Sequence, residues 1–412
     1  MLRNKKIFYS FLSYIIAAIF IYNCNSMWTS MSSLRRLVNL SYAVLICTSL
    51  VYILVLFKSQ AREKIKKLAE ITITVLLYLL IYCLFTTTPI KVLRLSIIII
   101  LFIWMIGLDN QTIPFILIKY KNIIILVAMI SLFFWLLGPI LHLIAPDGYV
   151  LSNWSAFNGI ALYVPSYHNL YFEAQTLSTS ITNLPRNTAI FTEAPMASLN
   201  FSLALLIETL YPPVSDKSSK IKKIILILAL ITTFSTTGYL FLILLFCIKF
   251  FTSQKSNINK RYVIILIPII LFIGIVIVML LLNEKLNFDS GSSGIRLDDY
   301  KVGLIAWMSH PLFGIGIQNT HELIRFMGNW RTFNTGFSNS LMDLLSGGGI
   351  YITSSYVFCF FRGISTSTKT KDWNKFWFIL LTIYLFILTI FTYSYILLFL
   401  LIWFAFSTQK YA

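Results

Sequence analysis

The chain has 412 residues, of which 58% are hydrophobic and 12% are charged, and its formal net charge is +18. A soluble domain would carry charge on about a quarter of its residues, so the composition excludes an ordinary soluble protein. Apolar runs of about 18 to 25 residues recur along the sequence. They predict membrane helices, because in lipid every backbone polar group needs an internal partner.

Taken in chain order, the apolar runs predict single spans at 7–23, 37–57, 68–86, 92–108, 122–144, 196–211, 262–282 and 338–361. Two further stretches, 223–250 and 375–408, are interrupted by polar residues and fit either one long helix or a hairpin of two short helices. Basic segments flank both stretches on both sides, and basic loops remain in the cytoplasm, so we favour hairpins. The predicted fold is all-α: one polytopic membrane domain over 1–412, with about twelve transmembrane helices and both termini in the cytoplasm. We expect the first span to remain as an anchor.

Most of the 33 Lys and Arg lie in or beside the inner loops of this topology. The basic excess is therefore a signal for orientation that also favours contact with membrane lipid, and it excludes nucleic-acid binding. Two outer loops are long, 145–195 and 283–337, and we expect short amphipathic helices in both. All four histidines fall on the outer side, so we expect the chemistry at the outer face. The five cysteines lack metal-ligand spacing, and we expect no metal site and no cofactor.

The first long loop ends in NLPRNTAIFTEAP at 183–195. Thr192 is the candidate N-cap of the next helix, and Pro195 suits a position near its start. The helix N-terminus carries partial positive charge, and Arg186 just before it would complete a cradle for phosphate. Glu193 is either a cap that compensates the helix dipole or a carboxylate with a catalytic or sugar-binding role.

The second long loop contains SGSSG at 290–294, for which we expect a flexible chain. From Leu297 to Ser309 the pattern predicts an amphipathic helix at the membrane interface. His310, followed by proline, ends this helix because the residue before proline disfavours the α region. Gly314 and Gly316 then turn the chain.

Charged residues cluster along this predicted helix. Arg296 is either an anion ligand or an interfacial arginine that snorkels or forms a salt bridge. His310 is either a functional residue or a helix C-terminal cap. Asp298 and Asp299 are weak candidates for metal ligands, since a lone pair of aspartates is common.

The last candidate is GFSNSLMDLLSGGGIYI at 336–352. Ser338 and Asn339 lie at the outer mouth of a span, with Asp343 one turn deeper. Acidic groups inside membrane helices are costly and usually functional, so Asp343 is either functional or a buried partner for an arginine. The glycine run at 347–349 would let another helix or a lipid tail approach.

Four motifs then occur in a fixed order: RNTAIFTEAP at 186–195, GIR at 294–296, HPLFGIGIQN at 310–319 and SNSLMDLLSGGGI at 338–350. Over roughly residues 120–360 the chain resembles the bacterial O-antigen polymerase and O-antigen ligase superfamily, which includes capsule and exopolysaccharide polymerases. The resemblance implies a glycosyltransferase of the inner membrane that uses undecaprenyl-pyrophosphate-linked oligosaccharide. A chain-length regulator and a flippase are the protein partners it implies.

The resemblance also implies roles for individual residues. Arg186 and Arg296 would hold the pyrophosphate, and two arginines can take the place of a metal ion. Many members carry a histidine before the asparagine of the late helix, whereas this chain has Ser338 there. Glu193 then becomes the first candidate for the general base and His310 the second. We predict further contacts to the pyrophosphate or glycan from Asp298, Asp299, Asn339 and Asp343.

Polymerisation of repeat units is the predicted function. One alternative is a ligase that moves the glycan from the same donor to a lipid or protein acceptor. Another is a flippase or other transporter of lipid-linked glycan, for which we would expect internal symmetry and charges deep within the spans.

Overall fold

The computed structural model describes residues 2–31, 34–57, 60–109, 111–157, 160–178, 183–212, 218–252, 290–328, 331 and 336–406. Within these ranges the chain is mostly helical. The helices of the first half are α1 Leu2–Asn23, α2 Met27–Ser30, α3 Arg35–Phe57, α4 Arg62–Phe85, α5 Pro89–Leu108, α6 Phe115–Trp135 and α7 Ala194–Leu210. Those of the second half are α8 Ser219–Thr232, α9 Thr236–Thr252, α10 Ser290–Ser309, α11 Thr320–Ile324, α12 Ser340–Lys369, α13 Trp373–Leu388 and α14 Tyr395–Phe406.

Five helices are long and apolar enough to cross a membrane: α3, α4, α5, α12, and α6 together with the π-helical turn at Leu136–Ile140 that continues it. Five shorter helices are also apolar, namely most of α1, most of α9, and all of α7, α13 and α14. Leucines on α3 and α4 remain largely exposed, as expected for side chains that face lipid. The chain is therefore built as a multi-pass membrane protein. The predicted span 262–282 lies outside the described residues, and the count of about twelve spans stays a prediction.

Both interrupted stretches consist of two helices. Residues 223–250 divide into α8 and α9, and residues 375–408 divide into α13 and α14. At the first break Phe234 adopts a positive φ of 47°, and the Thr233 hydroxyl donates to the Leu230 carbonyl at 2.7 Å. The same carbonyl also accepts from the Thr233 amide at 3.3 Å, so the hydroxyl is a second donor at the end of α8.

The first long loop is built from strands, so the prediction of short amphipathic helices there is wrong. An antiparallel sheet has the order β1–β2–β3, and β4 pairs with β5. Their bounds are β1 Gly148–Phe157, β2 Ile160–Tyr167, β3 Tyr171–Phe172, β4 Thr176–Ser178 and β5 Asn183–Pro185. The reason is a side-chain period of two. Val150 and Val164 face the buried Met27 and Phe172, whereas their neighbour Tyr149 is exposed.

Helix α7 is the central helix of the bundle. All of its residues except Pro195 are buried, and it packs against α6, α8, α9 and α13. Most of its side chains are apolar, and polar ones such as Asn200 and Glu208 have hydrogen-bond partners inside the bundle, which suits an interior position. Its N-terminus lies among the long loops, at the side of the molecule that we call the loop end and that contains residues 148–157, 160–178, 183–185 and 290–328.

The loop after α10 packs against a kink in α12. Gly349 has φ 61° and interrupts the helix, and Gly314 and Gly316 turn the chain as predicted, with φ of 68° and 105°. The Ile315 amide donates to the Ser346 carbonyl at 2.9 Å, and the Gly316 amide donates to the Gly347 carbonyl at 3.0 Å. The glycine run therefore admits a loop backbone. This differs from the helix or lipid tail that the sequence suggested.

Candidate functional site

The N-terminus of α7 presents Glu193 at the loop end. Glu193 is the N-cap residue, and its carbonyl accepts from the amides of Met196 at 3.1 Å and Ala197 at 3.2 Å. Its carboxylate makes no capping hydrogen bond, which weakens the purely capping interpretation. The prediction of Thr192 as the cap is wrong, because the Thr192 hydroxyl donates to the Asn25 carbonyl at 3.2 Å and the helix starts one residue later.

Gln175 connects Arg186 to the start of α7. Gln175 Oε1 accepts from the Ala194 amide at 3.0 Å and from Arg186 Nη1 at 3.3 Å. Arg186 Nε and Nη2 also donate to the carbonyls of Thr233 at 2.9 Å and Phe234 at 3.2 Å. The positive charge thus lies beside the helix N-terminus, as predicted. The guanidinium is buried, and these contacts tie the first loop to the turn between α8 and α9.

Glu193 and Arg296 line one small cavity, which we call the niche. Its lining consists of Glu193, Pro195, Met196, Arg296, Phe337, Ser338, Leu388, Thr389 and Ile390. The volume of about 30 Å³ has room for about two water molecules. The niche therefore brings charged groups together without enclosing a saccharide. Arg296 is otherwise exposed, and no carboxylate of the described residues lies within ion-pair distance of it.

Helix α10 begins earlier than the sequence indicated. SGSSG at 290–294 forms its first turn, so the expectation of a flexible chain there is wrong. Serine is only mildly unfavourable inside a helix and each glycine costs about 1 kcal/mol, so this composition does not prevent a helix that continues beyond it. The predicted end holds, because the helix stops at Ser309 before the His–Pro pair.

Asp298 and Asp299 pair with an arginine from the same loop. Arg331 Nη1 lies 3.0 Å from Asp298 Oδ2, and Nη2 lies 2.5 Å from Asp299 Oδ1. The Ser338 amide also donates to Asp299 Oδ2 at 2.8 Å. The two carboxylates thereby fix the segment that leads into α12 and hold Ser338 at the niche. Their predicted contact with substrate stays a prediction.

Burial raises the pKa of the Asp299 carboxyl. The Asp299 carboxyl is fully buried, and desolvation raises its pKa above the ordinary value of 3.8. Hydrogen bonds from Ser338 and the charge of Arg331 oppose that rise. The cluster is thus a buried ion pair supported by a backbone donor, the form in which buried charge is tolerated.

Asn339 and Asp343 stand at the start of α12. Asn339 is its N-cap, and Oδ1 accepts from the Met342 amide at 2.9 Å. The Nδ2 group of Asn339 is buried and has no hydrogen-bond partner within the described part of the chain. Asp343 lies at a second cavity of about 300 Å³, which we call the polar cavity and to which Ile390 contributes as it does to the niche.

His310 lies away from these groups. It is exposed at the end of α10, where its Nδ1 is 2.9 Å from the Ser309 hydroxyl. It is fourteen positions after Arg296 in the chain, which corresponds to about 21 Å at a helical rise of 1.5 Å per residue. The structure therefore does not bring His310 to the niche, and among the described residues no three metal-binding side chains of the His, Cys, Asp and Glu types come together.

Sequence reasoning missed Gln175 and Arg331. The aspartate pair carried a signal for Arg331, because two adjacent carboxylates on a loop helix need a cation if they are buried. Gln175 had no such signal. It lies in a strand-rich loop, and its role depends on which helix N-terminus the loop reaches.

The fold and the site define a multi-pass membrane protein with a charged site at the loop end of its helix bundle. Residues 223–357 match the family described as O-antigen ligase. This confirms the resemblance to the O-antigen polymerase and ligase superfamily, whose members transfer glycans. The match includes Arg296 and Asp343, whereas Arg186 and Glu193 precede it. A search of curated proteins found no match to the chain.

Proposed function

We propose that the protein polymerises undecaprenyl-pyrophosphate-linked oligosaccharide repeat units at the outer face of the cytoplasmic membrane. The observation that carries this proposal is the niche, where Glu193 and Arg296 meet although they belong to different loops. Displacement of a pyrophosphate by a sugar hydroxyl needs a proton acceptor and a group that stabilises the developing negative charge. A carboxylate beside a guanidinium supplies both, and the family match supports glycan transfer as the reaction class.

In the proposed step, a hydroxyl oxygen of the acceptor sugar attacks the anomeric carbon of the donor and forms the new glycosidic bond. The bond from that carbon to the pyrophosphate oxygen breaks, and its electron pair leaves with undecaprenyl pyrophosphate. Glu193 takes the hydroxyl proton, a contribution of about 10² to 10⁴ in rate for a typical general base. Arg296 contacts the departing pyrophosphate, and Arg186 adds positive charge at the N-terminus of α7.

Ser338 supports the assignment of Glu193 as the base. It lines the niche at the position where many members of the superfamily carry a histidine. A serine hydroxyl is too weak a base for this step, and Glu193 lines the same small space. His310, the second candidate, is about 21 Å away along α10, by helix rise.

An apolar groove of about 490 Å³ suits the polyprenyl tail of the donor. It lies between α4, α5, α12 and α14, and its lining includes Tyr78, Phe358 and Leu401. At one end Tyr78 stacks on Tyr351, with ring centroids 4.3 Å apart. An apolar lining within membrane helices is the environment that a hydrocarbon chain requires.

Ligation is the second candidate function, and the description of the matched family favours it. A ligase would use the same donor and transfer the glycan once to a different acceptor. One purified lipid-linked repeat supplied alone separates the two functions. A polymerase builds a ladder of products from it, whereas a ligase forms none until its own acceptor is added.

Arginine substitutions in cells test the proposal. We expect Arg296→Ala and Arg186→Ala each to abolish long-chain glycan while the protein reaches the membrane at the wild-type level. Arg325→Ala is the matched control, because Arg325 is exposed in the same loop and pairs with Glu322 at 2.8 Å. Wild-type chain length in both Arg296→Ala and Arg186→Ala would refute the proposal.

A further inference from the structure

The polar cavity beside the niche lies where six segments of the chain converge. The end of α1, the α1–α2 turn and α2, α3, the loop after α10, the start of α12 and the turn between α13 and α14 all contribute to it. Its lining is Asn23, Cys24, Asn25, Thr29, Val38, Gln318, Asp343, Ile390, Phe391, Thr392, Tyr393 and Ser394. Amide, hydroxyl and carboxylate side chains thus dominate a cavity of about 300 Å³, the lower end of the volume range of small-molecule sites.

The charge of this lining is negative. Asp343 is its one ionisable carboxylate, and the lining contains no lysine or arginine. No cation of the described residues lies within ion-pair distance of Asp343, so the interpretation of Asp343 as a partner for an arginine finds no support there. The buried Tyr393 hydroxyl also has no hydrogen-bond partner within the described residues. A hydroxyl-rich neutral ligand suits such a lining, whereas a pyrophosphate would be repelled.

The position of the cavity relative to the niche indicates which substrate it suits, the pyrophosphate-linked donor or the acceptor saccharide. Ile390 lines both spaces, so the polar cavity adjoins the niche that Glu193 and Arg296 line. The donor needs its pyrophosphate at the cationic group. The acceptor needs a sugar hydroxyl next to the base, and that hydroxyl is uncharged.

We propose that the polar cavity binds the terminal saccharide of the acceptor glycan, with the Asp343 carboxylate accepting hydrogen bonds from its hydroxyls. This inference rests on the proposed transfer reaction and adds the separate site that such a reaction requires for its second substrate. The acceptor sugar comes from another repeat unit in a polymerase and from the core saccharide of an envelope glycolipid in a ligase. Both present the same hydroxyl chemistry.

The chain offers a matched pair of substitutions. Val38→Trp places a large ring at the cavity lining, on a helix position that is already 37% exposed. Leu37→Trp makes the same change one residue earlier, at a position 41% exposed that does not line the cavity. Asp343→Asn removes the carboxylate charge at nearly constant size. Asp147→Asn makes the same change in the first long loop, away from the cavity lining.

The probe is the oligosaccharide released by mild acid from the lipid-linked repeat of the host, which can accept a sugar and cannot donate one. Its binding to the purified protein in nanodiscs is measured by calorimetry without donor, and a second arm uses the delipidated core saccharide. We expect the wild type to bind one of these two saccharides, the repeat oligosaccharide or the core saccharide. Val38→Trp and Asp343→Asn should each weaken that binding by about tenfold or more. The KM for the acceptor should rise in parallel while the KM for the donor stays unchanged.

Leu37→Trp and Asp147→Asn should retain wild-type binding. Binding of neither saccharide to the wild-type protein, or wild-type affinity in both cavity variants, would overturn the assignment. Because binding is measured without turnover, the outcome is independent of the transfer reaction. Saccharide binding that the cavity variants lose, in a protein that forms no glycosidic bond, would uphold the cavity and reject the reaction.

Discussion

Glu193 and Arg296 line the same niche, although one is the N-cap of the central helix α7 and the other lies on the loop helix α10. Their meeting depends on two separate sets of contacts. Gln175 and Arg186 fix the start of α7, and Asp299 with Arg331 fixes the segment that closes the niche from the other side. We propose that this carboxylate and this guanidinium serve proton transfer and anion stabilisation.

Neutralising Glu193 should remove the base and leave the fold intact. We expect Glu193→Gln to lower the rate of glycan transfer by about 10² to 10⁴. Glu322→Gln, an equal change in the second loop, should stay close to wild type because Glu322 pairs only with surface groups within the described chain. Product chain length in cells and turnover of purified protein check this, and wild-type turnover of Glu193→Gln would remove Glu193 from the mechanism.

Arg186 should require its guanidinium geometry as well as its charge. Arg186→Lys keeps the charge, but lysine lacks the planar fork that reaches Thr233, Phe234 and Gln175 at once. We expect Arg186→Lys to lose most of its activity and Gln175→Ala to lose less. The loss of the acceptor that Arg186 and Ala194 share should lower the stability of Gln175→Ala by about 1 kcal/mol. Melting temperature and turnover are measured for each variant. An Arg186→Lys protein with full activity would show that charge alone suffices.

Removing Arg331 should destabilise the protein more than neutralising Asp299 does. Arg331→Leu leaves the buried Asp299 carboxylate without its charged partner, a change that typically costs about 3 to 5 kcal/mol. Asp299→Asn retains an acceptor for Ser338 and removes the charge, so its loss should be smaller. Unfolding of the purified variants in detergent gives the comparison. The reverse order would mean that the pair does not anchor this loop.

The Asp299 carboxyl should make the stability of the folded protein depend on pH. Its folded-state pKa is raised above the ordinary 3.8, so the folded protein binds this proton more readily than the unfolded chain. The stabilisation from this group is complete below pH 3.8 and is lost as the pH rises through the raised folded value. Asp299→Asn should remove this component from the curve of melting temperature against pH. Parallel curves for the variant and the wild type would contradict the assignment.

A second buried ion pair should stabilise the opposite end of α7. Lys121 Nζ lies 2.5 Å from Glu208 Oε2, and the Ser219 hydroxyl donates to Oε1 at 2.5 Å, which joins α6, α7 and α8. Lys121→Met alone should cost about 3 to 5 kcal/mol, whereas Lys121→Met with Glu208→Leu should cost much less. A double-mutant cycle on unfolding measures the coupling. Strictly additive effects would show that the pair contributes no interaction.

The helical framework could be predicted because membrane helices are encoded locally. The predicted span 92–108 is α5 Pro89–Leu108, and 196–211 is α7 Ala194–Leu210. Apolar length alone fixes these elements, since lipid forbids unpaired backbone. Basic flanks and central polar residues also favoured two helices in each interrupted stretch, as the structure has them.

The remaining features depend on contacts between distant segments. Tyr149, Val150 and Leu151 are consecutive apolar residues, so the sequence shows no alternation there. The strand pattern depends on Met27 and Phe172, which supply a surface to cover. The sequence around Gln175 does not indicate that its side chain accepts a hydrogen bond from the Ala194 amide at the start of α7. Glu193 and Arg296 were predicted from the sequence as candidates, whereas only the fold shows that they line one cavity.

The central claim is that Arg296 stabilises a departing lipid pyrophosphate during glycan transfer. The most direct measurement supplies wild-type, Arg296→Ala and Arg325→Ala proteins, each in nanodiscs, with the lipid-linked repeat of the host as the only substrate. We expect a product ladder and release of undecaprenyl pyrophosphate from the wild type and the Arg325→Ala control. The rate for Arg296→Ala should be lower by about 10² to 10³. A ladder formed by Arg296→Ala at the wild-type rate would show that Arg296 does not stabilise the departing pyrophosphate.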